Sequence, residues 1–239
     1  MECLNLQFKL GTKILDFCNI DNINTTNGDK IQCLFELHGF IQDHIFIIGQ
    51  CLYEGIISPA GNLAAAIYEA SHQANYIISN ENALNIWLGL RKDGKLDKFF
   101  LKEAKTNLKE MMKKNLEIAG NGDLEAEYSV YQLLCKFKHP HPTLIALNIE
   151  ADTGKLIPHY GNKSDALTMQ HAYYIASRVT RVASYVTNQL IHILIKLDRF
   201  DSQIITDTND IEIKLKEVDE FALKQHDWLV NPLKVPVTP

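Results

Sequence analysis

Apolar residues recur at steps of three and four along most of this chain, the spacing that lines one face of a helix. Leu4, Phe8, Leu10, Ile14, Leu15 and Phe17 predict a first helix that stops in the polar run Asn19 to Lys30. Leu34, Leu37, His38, Ile41, Ile45, Ile48 and Leu52 predict a second. Phe46 and Ile47 make that segment apolar nearly all round, the mark of a central, buried helix. Ser58 followed by Pro59 has the form of an N-cap and first-turn pair, opening a third helix with Leu63, Ile67, Ala70, Ala74 and Ile77 on one face. A short helical piece is expected around Leu84 to Leu90, then a lysine-rich helix over residues 96 to 118 that ends at Gly120-Asn121-Gly122.

Asp123, Glu125 and Glu127 stand where the positive end of a helix dipole favours acids, and predict a helix from about 123 to 138. The residues 143 to 160 change character. β-rich runs flank Asp152-Thr153-Gly154 and predict a short β-hairpin insertion. Ile175, Val179, Val182, Val186, Leu190, Ile193 and Leu197 then mark the longest helix. A last helix containing Leu215, Val218 and Phe221 follows acidic positions near Asp207 and Asp210. The expected architecture is an all-α, multi-helix bundle: an N-terminal helix and linker over 1–30, a core over 31–200 and a C-terminal helix and tail over 201–239.

Composition narrows the classes. With 239 residues, 46% of them hydrophobic, the chain can bury a real core, and a net charge of −5 argues against a surface built wholly for nucleic acid. Five widely spaced cysteines without a CxxC pair suggest neither a disulfide framework nor a zinc site. The amino-terminal residues lack a secretory pattern and no segment has the length and apolarity of a membrane span, so a cytoplasmic protein is expected. Phosphate-loop, dinucleotide-fold, esterase and zinc-protease motifs are absent. No cofactor or metal is implied.

Three polar stripes are candidates for chemistry. His171, Tyr174, Arg178, Arg181, Tyr185, Asn188 and His192 share one face of the longest helix. Two arginines bracketed by tyrosines can clamp a phosphate or carboxylate while a ring stacks on a base. The plainer alternative is a half-exposed face, or arginines pairing with acids of a neighbouring helix. Glu69, His72 and Tyr76 lie opposite the aliphatic row of the third helix. Glu69-x-x-His72 has di-iron spacing, yet no second such pair exists, and a solvated face or an acid waiting for Arg178 or Arg181 is the simpler account. Lys98, Lys102, Lys105, Lys109 and Lys113 form a row that could attract phosphates or simply solvate a face. In LLCKFKHPHPT the prolines end a helix and Lys136 and Lys138 complement its dipole, which leaves His139 at a helix C-terminus as a candidate anion contact or general acid.

The runs GIISPAGNLAAAIYEASHQANYII and YSVYQLLCKFKHPHP, followed by the long closing helix, resemble an uncharacterised bacterial all-helical family similar to HEPN (higher eukaryotes and prokaryotes nucleotide-binding) domains. The likeness spans roughly Lys30 to Leu197. It implies a helical bundle, often a homo-oligomer, that binds RNA or a nucleotide in stress or phage defence. Many relatives in that superfamily are metal-independent ribonucleases using Arg-x(4–6)-His. Placed on His139, that motif would need an arginine where this chain has Gln132, Leu133 and Leu134, so the catalytic form of the motif is absent. The expected site combines Arg178, Arg181 and His139, with Glu69 and Tyr131 positioning the basic groups. The alternatives are a non-catalytic interaction scaffold and a ribonuclease.

Overall fold

The computed structural model describes residues 1–18, 28–80, 83–84, 108–119, 122–138, 166–196, 203, 206–211, 213–214 and 216–217. Among them the elements are α1 (Glu2–Cys18), α2 (Gly28–Tyr53), α3 (Ile57–Ser79), α4 (Leu108–Ala119), α5 (Leu124–Cys135), a 3-10 turn (Lys136–Lys138) and α6 (Ala166–Lys196). No strand occurs among the described residues, which agrees with the all-α expectation. The hairpin expected near 143–160 lies outside the described residues, as do His139, Lys98, Lys102, Lys105 and most of the piece expected at 84–90.

α3 is the axis of the bundle. It packs on α2, α4, α5, α6 and the 3-10 turn, while α1 closes against α2 and α6. Ala60, Ala64, Ala65, Ala70 and Ala74 are all buried, and their small side chains let the surrounding helices approach on several sides. Between them Ile67 and Tyr68 are fully buried and join Ile41, Ile45 and Ile48 of α2 and Ile175, Val179, Val182 and Val186 of α6, while Ile77, also fully buried, packs in a smaller cluster with Cys33, Ala83 and Leu84. Each such aliphatic side chain contributes about 1.5–3 kcal/mol by leaving water.

Two expectations need correction. α2 is not buried all round: Leu34, His38, Ile41, Ile45 and Ile48 face inward, whereas Phe46 is 52% exposed and Phe40 and Ile47 are exposed beside it. An apolar residue off the inward stripe has no packing partner reserved for it by periodicity alone. Ser58 is not the cap of α3, since the helix begins at Ile57 with Ile56 as N-cap and no side-chain cap bond. The reason lies in the preceding turn. Gly55 takes φ 73, and Ile56 N–H donates to the Cys51 carbonyl at 2.7 Å, a Schellman closure of α2 that turns the chain straight into α3. Pro59 then falls at the third helical position, where a backbone N–H would have no intrahelical acceptor.

The C-terminal helical residues dock on the same chain. Ile211 enters the core, Asp207 accepts from Lys13 at 3.5 Å, and Lys214 pairs with Glu2 at 3.4 Å.

Candidate functional site

α3, α4, α5 and α6 wall a cavity of about 1000 Å³. From α6 come Arg178, Arg181, Tyr185, Asn188, Gln189 and His192, so the polar stripe of the longest helix lines it for most of its length. The stripe is graded. His171 and Tyr174 at its beginning are buried, Arg178, Arg181 and Tyr185 are half-buried, and Asn188 and His192 are exposed. One helix thus carries the face from core to solvent, with the guanidinium groups at the transition.

Arg178 lies under the Tyr174 ring at 5.3 Å, a cation–π distance. No carboxylate among the described residues comes within 4.0 Å of it. Its Nε has no hydrogen-bond partner among them. Burial pushes the hydroxyls of Tyr174 and Tyr185 up to about 12; for Tyr185 the Glu127 carboxylate adds to this, and Arg181 and Arg178 oppose it. Both phenols are therefore neutral donors at physiological pH.

The facing wall holds a histidine and a carboxylate. His72 is fully buried on α3, with the Tyr68 ring 5.9 Å and the Tyr185 ring 5.8 Å from its own. Asn115 of α4 donates through Nδ2 to the His72 carbonyl at 2.9 Å, and the same nitrogen lies 3.3 Å from His72 Nδ1. An amide N–H facing Nδ1 assigns that nitrogen as acceptor and leaves the hydrogen on Nε2. His72 Nε2 approaches Glu127 Oε1 of α5 at 3.4 Å without forming a hydrogen bond. Glu127 sits one turn inside α5, whose start is fixed by Asp123: its Oδ1 accepts from the backbone N–H of Glu125 at 2.9 Å and of Ala126 at 3.3 Å.

Of the expected site residues, the structure brings Arg178 and Arg181 to one cavity. Glu69 and Tyr131 meet each other elsewhere. Tyr131 Oη donates to Glu69 Oε1 at 2.6 Å and Lys138 Nζ donates to the same oxygen at 2.8 Å, so Glu69 serves a lysine of the 3-10 turn and not the arginines. Burial, then hydrogen bonds to Cys135 and Glu69, hold the Tyr131 hydroxyl well above its usual range, and burial raises the Cys135 thiol. This cluster joins α3 to the end of α5. The i, i+3 pair Glu69 and His72 is thereby divided between two environments, and neither is the solvated face that spacing suggested. Gln132, where a HEPN-type arginine was sought, is exposed on α5.

Of the lysine row, Lys109 pairs with Glu125 at 2.7 Å and Lys113 is exposed. The sequence singles out His72 only for its spacing from Glu69, and Asn115 and Glu127 are cavity residues that sequence reasoning did not select as site residues. Glu127 carried one usable signal, its place in the acidic first turn of α5. Asn115 carried none. Among the described residues no cluster of three or more His, Cys, Asp or Glu is arranged to hold a metal, and no helix is long and apolar enough to cross a membrane. No protein-family model matches the chain, and no curated protein or solved structure is significantly similar to it.

Proposed function

We propose that this chain is a HEPN-like helical module that binds a nucleotide, free or at the end of an RNA strand, in the cavity between α3, α4, α5 and α6. The observation that carries the reading is the joint presence of Arg178 and Arg181, less than one turn apart on α6, at a cavity of nucleotide size. A scaffold would be expected to satisfy Arg178 with a carboxylate, and Arg178 has none in ion-pair range among the described residues. Half-buried guanidinium groups meet a phosphate with less solvent screening than surface lysines do, and their planar fork matches two phosphate oxygens. The Tyr185 ring offers a flat surface in the same space. A space of about 1000 Å³ has room for one nucleotide and not for a long strand.

The test is a titration of labelled mononucleotides and a short RNA against wild type and the Arg178→Ala/Arg181→Ala variant at low and high salt. Binding that weakens with salt and falls by roughly tenfold or more in the variant is expected. Wild-type protein that shows no salt-sensitive binding to any of these ligands refutes the proposal.

A further inference from the structure

The cavity has two unlike walls. α6 offers donors, the guanidinium groups of Arg178 and Arg181. The opposite wall offers acceptors. Glu127 is a carboxylate with no lysine or arginine in ion-pair range among the described residues, only the His72 ring at 3.4 Å, and its side chain keeps 12% exposure. Asn115 spends its N–H side on the His72 carbonyl and ring, which leaves Oδ1 without a partner among the described residues, and Asn75 Oδ1 is likewise without one. A phosphate alone would answer Arg178 and leave the other wall's acceptors unanswered, at the cost that buried unpaired polar atoms carry. The fitting ligand presents an anion at one end and adjacent hydrogen-bond donors at the other.

Resting on the nucleotide reading above, we infer that the cavity selects guanine nucleotides, with Glu127 reading the base and Arg178 and Arg181 holding the phosphate. An ionised carboxylate only accepts hydrogen bonds, and does so through two oxygens side by side. Guanine sets two donors next to each other on one edge, N1–H and the 2-amino group. Adenine and cytosine set an acceptor nitrogen beside their amino group, and uracil flanks its one N–H with two carbonyl oxygens, so each would turn a lone pair toward the carboxylate. His72 backs Glu127: Asn115 fixes the imidazole with Nε2–H toward Oε1 at 3.4 Å, without a hydrogen bond between them, which leaves both carboxylate oxygens for the two donors of the base.

Calorimetric titration of the full chain with GMP, IMP, AMP, UMP and inorganic phosphate tests this. GMP should bind best, and IMP, which lacks only the 2-amino group, should bind on the order of tenfold more weakly. AMP and UMP should fall further, by up to about a hundredfold. Glu127→Gln should bring GMP down toward AMP, while a thermal melt of the variant confirms that it is folded. Equal binding of the four nucleotides, with dependence on Arg178, overturns guanine selection and leaves the nucleotide reading standing. A GMP preference that survives Glu127→Gln overturns the role of Glu127. Binding of none of them overturns both.

Discussion

His38 makes the stability of this protein depend on acid in a way that can be calculated before it is measured. The ring is completely buried on α2, with Nε2 3.3 Å from the Gly11 carbonyl of α1 and Nδ1 without a partner among the described residues. A neutral imidazole with its hydrogen on Nε2 donates to that carbonyl; a second proton on Nδ1 would place a charge where nothing accepts it. Burial accordingly lowers the pKa from 6.5 to about 4, with the Gly11 bond opposing the shift. Above about pH 6.5 the ring is neutral in both folded and unfolded chains and folding is unpenalised. As pH falls from there toward about 4, the unfolded chain takes a proton that the folded one refuses, so stability falls. Below the folded pKa both states are protonated and the whole difference has been lost, about 3 kcal/mol.

The perturbation is His38→Gln, whose amide can still donate to the Gly11 carbonyl but has no proton to gain. Urea denaturation of both proteins near neutral pH and near pH 5 gives the comparison. The variant starts less stable, yet on acidification it should lose about 2 kcal/mol less than wild type. Equal losses in the two proteins refute the reasoning, as does a His38 ring resonance that titrates near the ordinary histidine value in the folded state.

Two further substitutions probe the frame around the cavity. Gly61→Ala on α3 puts a Cβ into the Phe137 side chain, so thermal unfolding should show a loss of about 1–3 kcal/mol, several degrees in Tm; an unchanged melt would mean that the 3-10 turn moves aside freely. Asp123→Ala removes the cap of α5 and should cost about 1 kcal/mol in chemical denaturation, whereas a loss within a few tenths would show that the cap is dispensable.

The helices were legible because burial enforces periodicity, as Ile175, Val179, Val182 and Val186 on α6 illustrate. What periodicity cannot supply is the neighbour. Phe46 has the same chemistry as a core phenylalanine, yet it stays 52% exposed with only the edge of α1 beside it, the Phe8 ring 5.6 Å from its own among the described residues. Ser58 has the chemistry of a cap and is bypassed because Gly55 closes α2 by itself. At the site, Arg178 and Arg181 were legible as one face of one helix. His72, Asn115 and Glu127 come from three helices, and their meeting depends on α3 packing against α4 and α5, with His72 43 residues from Asn115.

The same separation shapes how the chain is made. α1 buries Cys3, Leu4, Leu10 and Ile14, and its Gln7 Nε2 donates to Thr187 Oγ1 at 2.8 Å, 180 residues away; Lys13 waits for Asp207, 194 residues away. A ribosome adding about 5–20 residues per second needs on the order of 10–40 s to supply those partners. During that interval α1 has α2 to lean on while its α6-facing side stays wet, so α1 is made well before the helix that completes its packing.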